Sequence, residues 1–258
     1  MPLSITSLIP ESAPDKPPVV LIHGAANSAT VWRLWQQELV SQGYPTNAVD
    51  LRGHGNSVPF DLSRTSMADY ADDVRAVITQ LSHPPIVIGW SMGGLAGMMA
   101  AEAGSVAAWI GLEPSPPTLK IDNSIPLREG TFDSTEYSII HSDPNDQPEM
   151  PDLSNTEREI ALSSLGQESR YARDDRKRGN VVKSLSCPLL VVKGALRSNW
   201  TARSYDDSWL EGLWLDSEVL TVDPASHWGL VLSESVLSSL IPDVISWIET
   251  NIALPESG

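Results

Sequence analysis

Ser91 stands inside Gly89-Trp90-Ser91-Met92-Gly93-Gly94, between the apolar run Pro85-Ile86-Val87-Ile88 and Leu95-Ala96-Gly97-Met98-Met99-Ala100-Ala101. The first flank reads as a buried strand and the second as a helix. A serine at a sharp strand-to-helix turn sits in strained backbone, with its hydroxyl projecting from the edge of a sheet. Glycines two residues before and after it let strand and helix pass where a Cβ would clash. The turn also aims the N–H of Met92, at the start of the helix, toward an oxyanion forming on a bound molecule. The chemistry such a turn serves is nucleophilic attack, and it needs a base, because a serine hydroxyl alone is a weak nucleophile at neutral pH.

Five histidines are available as that base: His23, His54, His83, His141 and His227. His227 is the best placed. It follows the last core strand across the short loop Asp223-Pro224-Ala225-Ser226, and Trp228-Gly229-Leu230-Val231-Leu232 anchors it on the other side. Loops beyond the carboxyl ends of parallel strands share one edge of the sheet, so this loop and the serine turn meet. His23-Gly24 closes the strand Val19-Val20-Leu21-Ile22, and its expected service is backbone. The N–H of Gly24 or Ala25 completes an oxyanion hole with Met92, and His23 itself is structural. His54 lies in the turn-forming stretch Asp50-Leu51-Arg52-Gly53-His54-Gly55-Asn56-Ser57 and is expected to be a hydrogen-bonded loop residue. His83 and His141 have no supporting context.

Taken in order, Val20-Leu21-Ile22-His23-Gly24, Asp50 to Ser57, Gly89 to Gly94 and the late His227-Trp228 resemble the α/β-hydrolase superfamily. The resemblance covers nearly the whole chain outside a central insertion. It implies Ser91 as nucleophile, His227 as base, an oxyanion hole at Gly24, Ala25 and Met92, and an acid between serine and histidine in chain order. Most members place that acid just after the strand corresponding to Leu189-Leu190-Val191-Val192. Here that loop reads Lys193-Gly194-Ala195-Leu196-Arg197-Ser198-Asn199-Trp200, and no carboxylate follows until Asp206 and Asp207. Glu113 is the alternative, standing immediately after Trp109-Ile110-Gly111-Leu112. A carboxylate needs only to reach the imidazole Nδ1–H, so its strand of origin is free. In this respect the chain is similar to the zearalenone-lactone hydrolases, a serine-nucleophile minority of the superfamily. Glu113 is therefore the favoured acid and Asp207 the runner-up.

The elements that must position these residues alternate between strand and helix, the pattern of an α/β protein with a mainly parallel, doubly wound sheet. Strands are expected at Leu3 to Ile9, Val19 to Ile22, Thr46 to Leu51, Pro85 to Ile88, Val106 to Leu112, Leu189 to Val192 and Val219 to Val222. Helices are expected at Thr30 to Gln42 and Ser66 to Leu81, with a last one through Val236, Leu240, Val244, Ile245 and Ile248. Ser66 followed by Asp69 is a helix-start signal. Between Glu113 and Leu185 the pattern breaks, and a charged helical region is expected over Thr156 to Lys183. A break of about seventy residues is too long for an ordinary loop. The expected organisation is thus an α/β-hydrolase core over 1–113 and 186–258 with a helical lid insertion at 114–185.

Composition narrows the partners. With a net charge of −16, nucleic acid and anionic membrane surfaces are poor partners, since both attract basic patches. No apolar run reaches the ~20 residues of a membrane helix. The start of the chain lacks the basic and apolar regions of a signal peptide, so the cytoplasm is the expected location. The single cysteine, Cys187, excludes an internal disulfide and is expected to be a buried structural thiol. Asn199-Trp200-Thr201 matches a glycosylation acceptor by coincidence. No phosphate-cradling loop, zinc spacing or dinucleotide fingerprint is present, so no cofactor and no metal is expected. Trp90, Trp228 and Trp200 are candidates to line an apolar pocket, with Trp209 and Trp214 nearby. The expected function is cleavage of a small-molecule carboxylic ester or lactone through an acyl-enzyme. Carbon–carbon bond hydrolysis, acyl transfer and a low-turnover ligand receptor remain alternatives on the same fold, and a homodimer is left open.

Overall fold

The computed structural model describes residues 2–11, 16–103, 106–196 and 217–252. Its centre is a seven-stranded sheet. In chain order the first strands are β1 (Ser4–Leu8), β2 (Val19–Ile22), β3 (Thr46–Asp50), β4 (Ile86–Trp90) and β5 (Ala108–Leu112). Two two-residue strands follow, β6 (Thr131–Phe132) and β7 (Glu168–Ser169), and then β8 (Leu189–Gly194) and β9 (Glu218–Val222). Across the sheet the order is β1-β3-β2-β4-β5-β8-β9. Only β1 runs antiparallel to its neighbour. β2, β4 and β5 are buried at every position, as parallel strands covered on both faces must be.

Helices cover both faces, so the sheet is doubly wound. On one face lie α1 (Arg33–Ser41) and, late in the chain, α6 (Gly229–Leu232) and α7 (Glu234–Asn251). There Trp32, Trp35 and Leu39 pack with Leu230, Leu240 and Val244. On the other face lie α2 (Met67–Ile78) and α3 (Met92–Ala103), where Tyr70, Val74, Met92 and Leu95 pack with Val20, Val87 and Trp109. The expected helix-start signal is a full capping box: Ser66 Oγ accepts the Asp69 N–H while the Asp69 carboxylate accepts the Ser66 N–H. Met98 is buried in this core, and Met99 packs against it. Cys187 is partly buried beside the same core, and burial pushes its thiol up.

Several boundaries differ from the sequence reading: β4 ends at Trp90, α2 at Ile78 and β8 at Gly194. The helix expected from Thr30 opens as a 3-10 turn, Ala29–Trp32, before α1 proper. The strand expected from Val106 begins at Ala108. The region expected to be helical over Thr156 to Lys183 is two short helices, α4 (Asn155–Ser163) and α5 (Arg170–Arg178). Between them β7 pairs antiparallel with β6, because Leu165-Gly166-Gln167 ends one helix and a new N-cap, Ser169, starts the next. Most of the remaining stretch from Glu113 is loop.

Backbone contacts tie residues 114–185 to the sheet edge that carries the serine turn. The Gly166 N–H donates to Ala26 O at 2.9 Å, and the Met67 N–H donates to Asp175 Oδ2 at 3.0 Å. Ser169 Oγ donates to Thr65 O at 2.6 Å, and the Ser226 N–H donates to Asp152 Oδ2 at 2.7 Å.

Candidate active site

The serine turn is built by close approach. β4 ends at Trp90, α3 begins at Met92, and Ser91 between them has φ +54°. An L-residue held in this left-handed region is strained, and the surroundings must over-determine it. They do so through glycine. A Cβ on Gly93 would lie 2.3 Å from Ile22 O and 2.4 Å from His23 O, and one on Gly89 would lie 2.5 Å from Gly93 O. The Ser91 N–H donates to Leu112 O at 3.0 Å, and Ser91 O accepts the N–H groups of Gly94 and Ser115. Ser91 is buried and lines a pocket with His227, Trp90, Trp228, Gly24 and Ala25.

Glu113 meets His227 directly. Its Oε2 is 2.7 Å from His227 Nδ1, and its Oε1 accepts the Gly194 N–H at 3.0 Å. Both residues are buried. Glu113 has φ +38° and stands one residue beyond β5, so the chain turns out of the sheet there as it does at Ser91 beyond β4. The described part of the loop after β8, Ala195 and Leu196, holds no carboxylate. The runner-up acid, Asp207, and the candidate pocket residue Trp200 lie outside the described residues, as do Trp209, Trp214 and the Asn199 acceptor pattern.

Trp90 and Trp228 fix the histidine loop. The Trp90 Nε1–H donates to His227 O at 3.0 Å, and its ring lies 4.9 Å from the His227 ring and 4.9 Å edge-on from Trp228. On the opposite wall, the Gly24 position admits no side chain, since a Cβ would lie 2.9 Å from Trp90 Cε3 and 3.1 Å from Ser91 Cβ. This contact brings the loop after β2 against the serine turn. Among the described residues, no acceptor is found for the N–H of Ala25 or of Met92.

The other histidines do not enter the pocket. His23 is fully buried, with Nδ1 2.8 Å from Gly24 O and Nε2 accepting the Leu51 N–H at 3.2 Å. Burial, with His54 beside it, drives this imidazole down to about 4, so it is neutral and Nδ1 is the donor. His54 is buried too, 2.9 Å from Arg52 O through Nδ1 and 3.5 Å from Glu168 Oε2 through Nε2. At that length the second contact is electrostatic rather than a hydrogen bond. Burial is the largest influence on His54 and opposes its charge, but Glu168, the Arg52 carbonyl and Asp50 together raise the imidazole above its ordinary value. Burial likewise opposes charge on Glu168, and His54, Arg176 and Tyr70 hold the carboxyl down at about 2. His83 and His141 are exposed, beside Ser82 and Asp146.

Sequence reasoning did not find the far wall of the pocket. Ser134, Tyr137, Ile139, Glu149 and Leu165 all line it from within 114–185. Nor did it find Glu168, which is fully buried and reaches back to the loop after β2. No local signal marks them, because each is placed by chain return rather than by a motif.

A sheet of this order with a strained serine beyond its central strand, facing a histidine–carboxylate pair, defines the class as α/β hydrolase. The comparisons agree. Residues 19–235 match the model of the Alpha/beta hydrolase family, and the chain belongs to that family. Among curated proteins it is similar to a pimeloyl-[acyl-carrier protein] methyl ester esterase of Aliivibrio fischeri, 34% identical over 96 residues, which is 37% of this chain and 35% of that protein. It is also similar to protein phosphatase methylesterase 1 of Mus musculus, 35% identical over 107 residues, 40% of this chain and 28% of that protein. The match thus spans about a third of the length of these relatives. Among solved structures, a thermophilic esterase from Thermogutta terrifontis superposes with a TM-score of 0.72 at 16% identity, covering 97% of this chain and 94% of that one. A monoacylglycerol lipase from Paleococcus ferrophilus superposes with a TM-score of 0.68 at 17% identity, covering 97% and 100%.

Proposed function

We propose that the protein is a serine hydrolase of carboxylic esters, with Ser91 as nucleophile, His227 as base and Glu113 as the acid that orients the base. The observation that carries this reading is the 2.7 Å contact between Glu113 Oε2 and His227 Nδ1 at the pocket that Ser91 lines. With its Nδ1–H donated to Glu113, the imidazole presents the Nε2 lone pair to take the proton of Ser91 as Oγ attacks the carbonyl carbon. The carbonyl oxygen becomes the oxyanion and receives the N–H groups of Ala25 and Met92, with Gly24 keeping that loop close. The imidazolium, stabilised by Glu113, returns its proton to the departing alcohol. Water then attacks the acyl-enzyme by the same base and frees the acid.

Trp90, Trp228, Ile139 and Leu165 give the pocket an apolar lining, which supports a neutral, largely apolar acyl group. The two curated relatives carry names of methyl ester esterases, in keeping with a small alcohol as leaving group. A lactone is the same bond closed on itself, so lactones belong in the substrate set. Residues 114–185 act as a lid, since one wall of the pocket comes from them. Labelling by a fluorophosphonate, together with turnover of p-nitrophenyl esters and a panel of methyl esters and lactones, tests the reading against Ser91→Ala. Wild type is expected to label and turn over, and Ser91→Ala to do neither. Equal rates for the two proteins would sink the proposal.

A further inference from the structure

The loop after β2 is held in place by a carboxylate from outside the β2–α1 region. Ala26 has φ +56°, a left-handed conformation for a residue that carries a Cβ. Both faces of this residue's backbone are taken by the inserted segment. The Ala26 N–H donates to Glu168 Oε2 at 3.0 Å, and Ala26 O accepts the Gly166 N–H at 2.9 Å. One residue earlier stands Ala25, whose N–H is the proposed oxyanion donor. The Ala25 carbonyl shares its peptide plane with the clamped Ala26 N–H, so the clamp limits how the Ala25 backbone rotates.

Glu168 is a demanding anchor. It is fully buried, and its Oε1 accepts Tyr70 O–H at 2.6 Å and the Ser169 N–H at 2.7 Å. His54, buried with its Nε2 3.5 Å from Glu168 Oε2, and Arg176 both favour the ionised carboxylate. A buried carboxylate costs stability unless it is paired and saturated with donors, and a neutral side chain would have filled the same space more cheaply. The reaction machinery of the preceding section leaves this group unused. The geometry accounts for it: the charged oxygen ends on the backbone next to the oxyanion donor.

We infer that Glu168 is a positioning residue that sets the oxyanion hole, coupling the inserted segment to transition-state stabilisation. The inference rests on the serine-hydrolase reading. The residue acts through Ala26 and touches no substrate, so its loss should lower kcat and leave KM in place, because the donor it positions matters most once charge has developed on the oxygen.

The test compares wild type, Glu168→Gln and Tyr70→Phe on p-nitrophenyl butyrate, with an aryl boronic acid as a tetrahedral mimic. Removing an oxyanion donor outright costs about 10²–10³ in kcat, and mis-aiming one costs less, about 10–100-fold. Glu168→Gln is expected to lose that much in kcat, to bind the boronate weaker by the same factor, and to keep KM within about threefold. Tyr70→Phe removes the bond to the other carboxylate oxygen. It should lower Tm while kcat stays within about threefold. If Glu168→Gln is insoluble, Glu168→Gln/His54→Gln carries the same readouts, since it leaves no buried charge uncompensated. A folded Glu168 variant with kcat and boronate affinity within threefold of an active wild type overturns the inference. So does a kcat loss in Tyr70→Phe equal to that in Glu168→Gln, which would assign the effect to stability. A wild type without Ser91-dependent turnover overturns the hydrolase reading itself, and this inference with it.

Discussion

Replacing Glu113 by Gln tests the proposed acid with almost no change of shape. In the native arrangement the carboxylate accepts two donors, His227 Nδ1–H at 2.7 Å and the Gly194 N–H at 3.0 Å. A glutamine has one oxygen and one amide nitrogen for the two places. If its oxygen keeps the Gly194 N–H, its NH2 faces His227 Nδ1. The imidazole must then carry its proton on Nε2, where it cannot act as base. If its oxygen keeps His227, the NH2 opposes the Gly194 N–H and a buried donor is left unpaired, at about 1–3 kcal/mol. That bias favours the wrong tautomer. The loss of a charge-assisted bond to the imidazolium adds about 1.5–3 kcal/mol. Together these give about 2.5–6 kcal/mol, a fall in kcat of about 10²–10⁴ at 1.36 kcal/mol per decade. Steady-state turnover of a p-nitrophenyl ester and the rate of fluorophosphonate labelling should both fall, with the circular dichroism spectrum unchanged. A folded Glu113→Gln protein with kcat within tenfold of wild type would refute the assignment.

Gly93→Ala should be severely destabilising, by about 3 kcal/mol or more, because its Cβ would meet two backbone oxygens at 2.3 and 2.4 Å and neither can yield; urea denaturation measures it, and a loss under 1 kcal/mol would contradict the packing. Trp90→Phe removes the Nε1–H bond to His227 O and buried volume beside it. Its kcat/KM should drop about tenfold and its Tm by several degrees, and unchanged kinetics would show that the histidine loop holds itself. Stability should fall in acid from two groups of the same sign. Glu168, at about 2 in the folded chain against 4.5, contributes stability present above about 4.5 and lost as pH drops toward 2. His23, at about 4 against 6.5, is protonated first in the unfolded chain, so stability is also lost as pH drops from 6.5 toward 4. His54 has the opposite sign, its contribution fading as pH rises through its raised value. Denaturation midpoints from pH 7 to 3 should decline across both acid windows, and a flat profile would disprove the buried ionisations.

The alternation of apolar strands and amphipathic helices made the core legible, since each strand from β2 to β9 lies within two residues of its expected place apart from the short ribbon β6–β7. Ser91 and its glycines were legible because the turn that needs them is local, and the contact distances at Gly89 and Gly93 give the reason. Glu113 was favoured through the family resemblance, because the usual acid position is empty here and Glu113 stands just past a core strand. The wall formed by Tyr137, Ile139, Glu149 and Leu165 was not legible. Loop residues that return to a pocket are chosen by tertiary contacts, and they leave no period to read. Glu168 shows the same limit more sharply. Its partners Tyr70, His54 and Ala26 lie about 100 residues away or more, so nothing near it in sequence marks it as buried.

The sheet register explains why an acid on β5 reaches a histidine placed beyond β9. Trp90 pairs with Leu112 and Leu112 with Val192, so β4 and β5 end at one level while β8 runs two residues further, to Gly194. Ser91 donates its N–H to Leu112 O, and Glu113 donates its N–H to Val192 O. Each is therefore the first residue past its strand, still tied to the next strand over, and each leaves the sheet at positive φ. Glu113 spans sideways as a result. Its backbone is bonded to β8 through Val192, and its carboxylate is bonded to β8 again through Gly194. The carboxylate thus lies over the end of β8, although its Cα stands just past β5. A Cβ at Gly194 would lie 2.3 Å from Ala225 O, which brings the His227 loop close to that same strand end. Moving the proposed acid one strand along changes its origin in the chain while its carboxylate stays beside Nδ1, the position a triad acid needs to orient its base.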